Sequence, residues 1–389
     1  MNKRRLILLG STGSIGRSTL DVLDDHPDSF DLVALTAHRS VERLVEQYRK
    51  YRPAYVGLTD PSGREELRTA LAGESVELLF GEDEIVGLAG HDHVDIVVNA
   101  IVGAAGLKAS MAAVKAGKRL ALANKESLVA GGPLFSHLIE KHGGEILPID
   151  SEHSALWQAI RAGQEKEISR LIITASGGPF RELPKNEFDG ITKERALAHP
   201  TWKMGPKITI DSATMANKGL EVIEAAVLFS MPTDKISVVV HPQSIVHSMV
   251  EFIDSSIIAQ LSQPDMRMPI CYALFWPERV ASSFGRLDPA TIGSLTFEPP
   301  DFERFPALGL AYRVAEAGVI LPAFFNAANE IAVEAFLNEE IKFTAIHRII
   351  ADTLDETENV AQPTFDDIVE ADRAARDIAH KKAGTTICC

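Results

Sequence analysis

Along the first 150 residues, short runs of aliphatic and β-branched side chains alternate with stretches whose apolar positions recur every three to four residues. Leu6 to Leu9, Leu32 to Leu35, Tyr55 to Leu58, Ile96 to Ala100, Leu120 to Ala123 and Ile146 to Ile149 read as strands. Helical patterns, such as Ser40 to Tyr51 and Ala104 to Ala116, lie between them. Continuous apolar strands joined by helices predict an α/β fold with a parallel sheet covered on both faces. From 151 to about 275 the pattern becomes α+β. It has a strand-like Leu171 to Thr174, a break at Gly177-Gly178-Pro179, then Val238 to Val240, Ser244 to Phe252 and Ser256 to Leu261. Ile253-Asp254-Ser255 between the last two reads as a hairpin turn.

Pro277, Pro289, Pro299, Pro300 and Pro306 mark 276–306 as an extended linker. Beyond it Leu308 to Ala317, Ala323 to Leu337, Phe343 to Leu354 and Phe365 to Lys382 are helical in pattern and predict a C-terminal α-helical bundle. Thr364 and Asp367 form a capping-box-like start to the last helix, whose Phe365, Ile368, Val369, Ala375 and Ile378 are expected on one face. The tail from Gly384 to Cys389 reads as frayed. The expected organisation is therefore an N-terminal domain (1–150), a central domain (151–275), a linker (276–306) and a helical domain (307–389).

Composition narrows the function. With 46% hydrophobic and 24% charged residues the 389-residue chain is ordinary globular protein. No apolar stretch reaches the roughly 18 residues of a membrane span, and the run after the basic start is too short for a signal peptide. Cys271, Cys388 and Cys389 have no paired spacing, which argues against a disulfide framework or zinc site and for a reducing cytoplasm. A net charge of −15 disfavours nucleic acid and anionic membrane as partners. An anionic ligand must then be held by local donors.

Two segments supply candidates for such chemistry. Gly10-Ser11-Thr12-Gly13-Ser14-Ile15-Gly16 lies between the first strand and a helical stretch, where glycines let backbone N–H groups approach a pyrophosphate. The second strand runs into His38-Arg39-Ser40 with no acid at that end, so Arg39 and Ser40 suit the 2′-phosphate of NADP rather than a ribose hydroxyl. After the Ile146 to Ile149 strand comes Asp150-Ser151-Glu152-His153. In extended backbone its two carboxylates project to one side, as a shared cation or a solvated acidic loop. Ser212, Asn217 and Lys218 are donors suited to a phosphate, and Glu221, expected to open a helix, would face a metal beside it. Oxygen ligands favour Mg²⁺ or Mn²⁺ over zinc. His153 reads as a scaffold residue, and His241 and His247 as structural.

Taken together, GSTGSIG (10–16), ANKESLV (123–129), PIDSEHSA (148–155), ASGGPF (175–180), HPTWKMGPKITIDSATMANKGLE (199–221), HPQSIVHSMV (241–250), QPDMRMPI (263–270) and NAANEIAVEAFL (326–337) resemble the 1-deoxy-D-xylulose 5-phosphate reductoisomerase family, essentially end to end. The resemblance implies a homodimer that uses NADPH and a divalent metal (Mg²⁺, Mn²⁺ or Co²⁺) to rearrange and reduce a sugar phosphate. It implies Asp150, Glu152 and Glu221 as metal ligands and Lys125 between cofactor and substrate, as proton relay or electrostatic anchor. Ser151, Ser176, His199, Ser212, Asn217 and Lys218 match substrate contacts. Gly10, Thr12, Gly13, Ser14, Ile15, Asn124, Glu126 and Gly205 match cofactor contacts, with Met266 near the nicotinamide. Trp202 falls in a mobile lid by resemblance, although a fixed core tryptophan reads equally well from the residues. His38-Arg39-Ser40 departs from the Gly-Lys-Asn of some members but keeps the basic centre. A semialdehyde dehydrogenase would need a cysteine nucleophile, and Cys271 sits in an apolar run. An NADP-sensing regulator would not need Lys125 together with the acids.

Overall fold

A computed structural model describes residues 3–202, 204–357, 360 and 363–387, without the side chains at 133 and 385–387. The chain packs as two compact units, one formed by 1–127, 135–154 and 265–285, the other by 128–134, 155–264 and 286–389.

The first unit is built on a seven-stranded parallel sheet. Its strands are β1 (Arg4–Leu9), β2 (Phe30–Ala37), β3 (Tyr55–Leu58), β4 (Glu77–Phe80), β5 (Ile96–Asn99), β6 (Arg119–Leu122) and β7 (Glu145–Pro148), in the order β4-β3-β2-β1-β5-β6-β7. Leu6, Ile7, Leu8 and Leu9 are fully buried, as a central strand covered on both faces demands. The order reverses at β1, between β2 and β5, where open α/β sheets place ligands beyond the strand ends. β4 was not among the expected strands, because only Leu78, Leu79 and Phe80 mark it and it lies at the edge. The segment Arg267–Phe275, expected in the central domain, is a buried helix packed within this unit. Cys271 lies on it, and burial pushes its thiol up to about 11, which leaves it protonated and unreactive near neutrality.

The second unit carries a four-stranded sheet, β11-β10-β8-β9, made of β8 (Ile168–Ala175), β9 (Ile236–Val240), β10 (Val246–Phe252) and β11 (Ile257–Leu261). β8 and β9 are parallel; the other pairs are antiparallel. The expected turn joins β10 to β11, with Ser255 left-handed (φ 69°) and the Asp254 carboxylate accepting from the Ser256 N–H at 2.9 Å. The C-terminal helices Pro306–Ala317, Leu321–Leu337, Ala345–Leu354 and Phe365–Ile387 pack in the same unit. Thr364 and Asp367 cap the last helix reciprocally. Its buried stripe is Ile368, Ala371, Ala375, Ala379 and Ala383, a row of small residues that lets it lie close against Leu321–Leu337. Val369, expected on that face, is 41% exposed, being one residue out of the stripe's helical phase. The last helix continues to Ile387, past the point where fraying was expected, and Cys388 and Cys389 lie outside the described residues.

The stretch read as a linker is not simply extended. Glu298 bridges to Val240 through both backbone groups, and its carboxylate pairs with Arg181 at 2.7 Å.

Candidate active site

Beyond β1 the chain turns through Gly10 (φ 80°) into the helix Ser14–Asp25. A Cβ at Gly10 would lie 2.6 Å from the Ala100 carbonyl oxygen, and one at Gly16 only 2.4 Å from that of Gly10, so neither position accepts a side chain. The helix start has no side-chain cap and no acid in its first turn, and Gly13 and Ser14 are exposed. Its first N–H groups thus point outward with uncompensated positive potential, a cradle that fits a dinucleotide pyrophosphate. Thr12 and Ile15 flank it, half-buried. Ser11 and Gln47, not singled out from the sequence, brace the turn: the Ser11 hydroxyl donates to Gln47 Oε1 (2.6 Å) and Gln47 Nε2 returns a bond to the Ser11 carbonyl (3.0 Å).

His38, Arg39 and Ser40 are exposed beyond β2. His38 Nδ1 meets the Thr59 hydroxyl at 2.9 Å. Ser40 caps the helix Val41–Tyr51 without spending its hydroxyl on the cap. Arg39 Nε donates to Asp60 Oδ2 at 2.6 Å. The absence of an acid at the end of β2 is therefore only part of the picture: one arrives from the end of the adjacent strand, since Ala37 pairs with Leu58.

Asn124 caps the helix Lys125–His142 by accepting from the Ser127 N–H at 3.0 Å, and its amide donates to the Ile101 and Gly103 carbonyls at 2.8 Å. Its side chain is thereby committed to holding the loop after β5, with Glu126 a further acceptor at 3.1 Å. Lys125, the first residue of that helix, is 5% exposed and pairs with Asp150 Oδ2 at 2.7 Å. Met266, in the same unit, caps the helix Arg267–Phe275.

Asp150 follows β7, but the backbone is not extended there. Ser151 already opens the helix Ser151–Ala159, so Glu152 stands in its first turn. The Ser154 N–H bonds the Asp150 carbonyl (2.8 Å), and the Asp150 carboxylate accepts from the Glu152 N–H (3.3 Å), the behaviour of a helix N-cap. The two carboxylates still offer oxygens within 4.8 Å of each other, now because of the cap rather than strand alternation. Ser151 donates to Glu152 Oε2 at 2.6 Å. His153 is fully buried with Nδ1 3.4 Å from Asp150 Oδ1, consistent with a scaffold role. Hard oxygen donors beside one ammonium suit Mg²⁺ or Mn²⁺.

The second unit collects the other candidates. After β8, Ser176 leads into Gly177 (φ 83°) and Gly178 (φ 67°). A Cβ at Gly178 would stand 2.6 Å from the Ser212 carbonyl oxygen, so glycine is what lets this turn reach the helix Pro206–Ala213. His199 Nε2 lies 3.0 Å from Ser176 Oγ and 3.1 Å from Ser212 Oγ. Its Nδ1 accepts the backbone N–H groups of Thr201 (3.1 Å) and Trp202 (3.0 Å), so the ring proton sits on Nε2. Trp202 is half-buried in an irregular loop, its ring 6.3 Å from that of the buried His247. Gly205 precedes Pro206 as the helix cap.

Glu221 does not open its helix. Left-handed Met215 (φ 62°) separates Pro206–Ala213 from Ala216–Leu228, and Glu221 is in the second turn. There Asn217 Nδ2 donates to Glu221 Oε1 at 2.5 Å, and the Lys218 ammonium bonds Oε2. The expected phosphate donors Asn217 and Lys218 are thus engaged with the expected metal ligand. His241 is structural as expected: Nδ1–H donates to the Thr296 carbonyl (2.8 Å), and Nε2 accepts from the Ile245 and Val246 N–H groups (3.2 Å each).

Burial lowers the His199 pKa below the ordinary imidazole value. The unfolded imidazole therefore takes its proton first. The contribution of neutral His199 to stability is full above the ordinary pKa and is lost as pH falls through the lowered folded value. Protonation would also aim an Nδ1–H at two N–H donors. On acidification the Thr201 and Trp202 amides should lose hydrogen-exchange protection together, and His199→Gln should abolish that acid limb. Protection unchanged down to the onset of global acid unfolding would count against this anchor.

Family models described as 1-deoxy-D-xylulose 5-phosphate reductoisomerase, its C-terminal domain, and DXP reductoisomerase C-terminal domain match residues 6–132, 146–229 and 261–378. Reductoisomerases of Pelodictyon phaeoclathratiforme and Chlorobaculum tepidum are 52% and 51% identical, covering 97% and 98% of this chain and 99% and 100% of their own lengths. The solved Zymomonas mobilis reductoisomerase in complex with NADPH superposes with a TM-score of 0.91 at 45% identity over 98% of this chain and 99% of its own. A DOX-P reductoisomerase in complex with NADPH, fosmidomycin and magnesium gives 0.94 at 41% over 98% of each chain. With turns, capped helices and buried ion pair where that family's motifs fall, the chain belongs to the 1-deoxy-D-xylulose 5-phosphate reductoisomerases.

Proposed function

We propose that this protein converts 1-deoxy-D-xylulose 5-phosphate to 2-C-methyl-D-erythritol 4-phosphate with NADPH and a divalent metal, Mg²⁺ or Mn²⁺ with Co²⁺ as a substitute. The observation that carries the reading is the buried Lys125–Asp150 pair with Glu152 beside it, at the strand ends of a sheet that also bears the glycine cradle. Relatives named for this activity at about half identity over their whole length support it.

Asp150, Glu152 and Glu221 are the proposed metal ligands, and Thr12, Gly13, Ser14, Ile15 and Arg39 the principal NADPH contacts. When bound, Mg²⁺ supplies Lewis acidity to the substrate's ketone and hydroxyl oxygens, and NADPH supplies the hydride. Ser176, His199, Ser212, Asn217 and Lys218 hold the phosphate and the adjoining part of the substrate, and the phosphate's binding energy orients the carbons that rearrange. Lys125 meets the negative charge that develops on oxygen. It steadies the alkoxide left once hydride has reduced the rearranged aldehyde, and can hand it a proton. Ser151 keeps Glu152 oriented, and Trp202 closes over the bound substrate to exclude water.

A second copy of the chain is the proposed partner. β11 is an edge strand with Ile257 51% and Ile258 and Leu261 each 40% exposed, the kind of edge that proteins cover rather than leave in water. Among the described residues no helix is long and apolar enough to cross a membrane. A cytoplasmic location is proposed from the cysteine usage.

Metal-stripped protein given the xylulose phosphate should leave NADPH unoxidised and regain turnover on adding Mg²⁺ or Mn²⁺, with the methylerythritol phosphate formed mole for mole. Oxidation without metal, or with a non-phosphorylated ketone at the same rate, would overturn the reading.

A further inference from the structure

Asp60 has no place in the roles assigned above, yet it is the only side-chain partner of Arg39 among the described residues. It is well held. Its Oδ1 accepts from the Ser62 N–H (2.9 Å), its own N–H bonds the His38 carbonyl (3.1 Å), and Thr59 N–H bonds that of Ala37 (3.0 Å). The end of β3 is thereby tied to the end of β2. The Asp60 side chain is 17% exposed, whereas that of Arg39 is 72% exposed. A well-held acceptor thus meets a long, exposed donor. The contact uses Nε alone, and among the described residues it leaves the two terminal nitrogens of this exposed guanidinium without a side-chain partner.

We propose that Asp60 is a positioning residue for coenzyme choice: it holds the Arg39 guanidinium so that its terminal nitrogens present to the 2′-phosphate of NADPH. This rests on the reading that Arg39 meets that phosphate. An arginine side chain left free must lose rotamer freedom on binding, and the Asp60 contact removes part of that loss beforehand. The opposing effect is repulsion between the carboxylate and the phosphate. The two effects predict opposite signs, so the direction of change decides between them.

NADPH and NADH affinities of the full chain are to be measured by quenching of protein fluorescence, independently of turnover. Asp60→Ala should weaken NADPH roughly three- to tenfold, the scale of ordering one long side chain, with NADH nearly unchanged. Asp60→Asn keeps one acceptor oxygen where the carboxylate offers two, one to Ser62 and one to Arg39, and should recover only part of the loss. In an Arg39→Ala background, Asp60→Ala should have no further effect on NADPH. Tighter NADPH binding by Asp60→Ala would show that repulsion dominates and overturn the proposal. So would an unchanged affinity, or a loss that persists without Arg39, since Asp60 would then act only through the loop. Arg39→Ala alone separates the underlying reading. Equal losses of NADPH and NADH there would mean that Arg39 does not meet the phosphate, whatever Asp60 does.

Discussion

Replacing Glu221 by Gln should abolish metal-dependent turnover, by on the order of a thousandfold, while leaving NADPH affinity unchanged. Glu221 is 1% exposed and its two oxygens are held by Asn217 and Lys218, so its carboxylate is fixed and deeply placed. The amide keeps the size and can still accept from Asn217, but it turns a donor towards the buried Lys218 ammonium. The variant should therefore also melt below the wild type, and its metal and NADPH binding are to be measured well below that temperature. The amide loses the charge that a hard cation requires. Mg²⁺ titration followed by calorimetry, and binding of a hydroxamate that also carries a phosphonate, should fail together in this variant. Glu224, one turn further and equally buried, is the control. If Glu224→Gln lost metal binding and Glu221→Gln kept it, the ligand assignment would move one turn along the helix. Normal metal response in both would end the proposed constellation.

Lys125→Gln should show a different and equally large effect. Lys125 and Asp150 pair at 2.7 Å with side-chain exposures of 6% and 13%, and removing the ammonium takes the opposite charge away from a largely enclosed carboxylate. Breaking such a pair typically costs about 3–5 kcal/mol, so the metal-free variant should melt well below the wild type. Mg²⁺ should then stabilise the variant more than it stabilises the wild type, because a cation beside Asp150 restores the missing positive charge. Turnover should nevertheless stay low by roughly 10²- to 10⁴-fold even when metal is saturating, since the ammonium proposed to meet the reacting oxygen is gone. Saturating metal restoring both melting temperature and turnover would reduce Lys125 to a structural counter-charge. A variant whose stability did not respond to metal would remove Asp150 from the ligand set.

The parallel sheet was legible because its strands are apolar on both faces, and Tyr55–Leu58 falls on the expected residues. β4 escaped because an edge strand of four residues buries too little to leave a pattern. Residue types at the site were legible, but their backbone was not. Asp150-Ser151-Glu152 looks extended when read after a strand, yet Asp and Ser are also helix-capping residues, and here capping prevails. Glu221 was misread as a helix start because nothing in Ala213-Thr214-Met215 announces a left-handed methionine. Asp60 was missed for a third reason. Its partner is twenty-one positions away, and only the pairing of β2 with β3 makes them neighbours.

Asp211, 1% exposed on the helix that ends beside Ser212, is held by Lys207 at 2.9 Å and by Asn329 at 2.8 Å, the latter from 118 residues downstream. The C-terminal bundle is therefore no detachable appendage to a catalytic core. A chain shortened before Leu321 would leave a buried carboxylate without its amide partner and loosen the helix that carries Ser212, proposed above to hold the phosphate. Natural variation in phosphate affinity should accordingly register at positions such as Asn329, which no substrate atom need ever touch. An inhibitor-tolerant variant could arise there while every residue lining the site stayed the same.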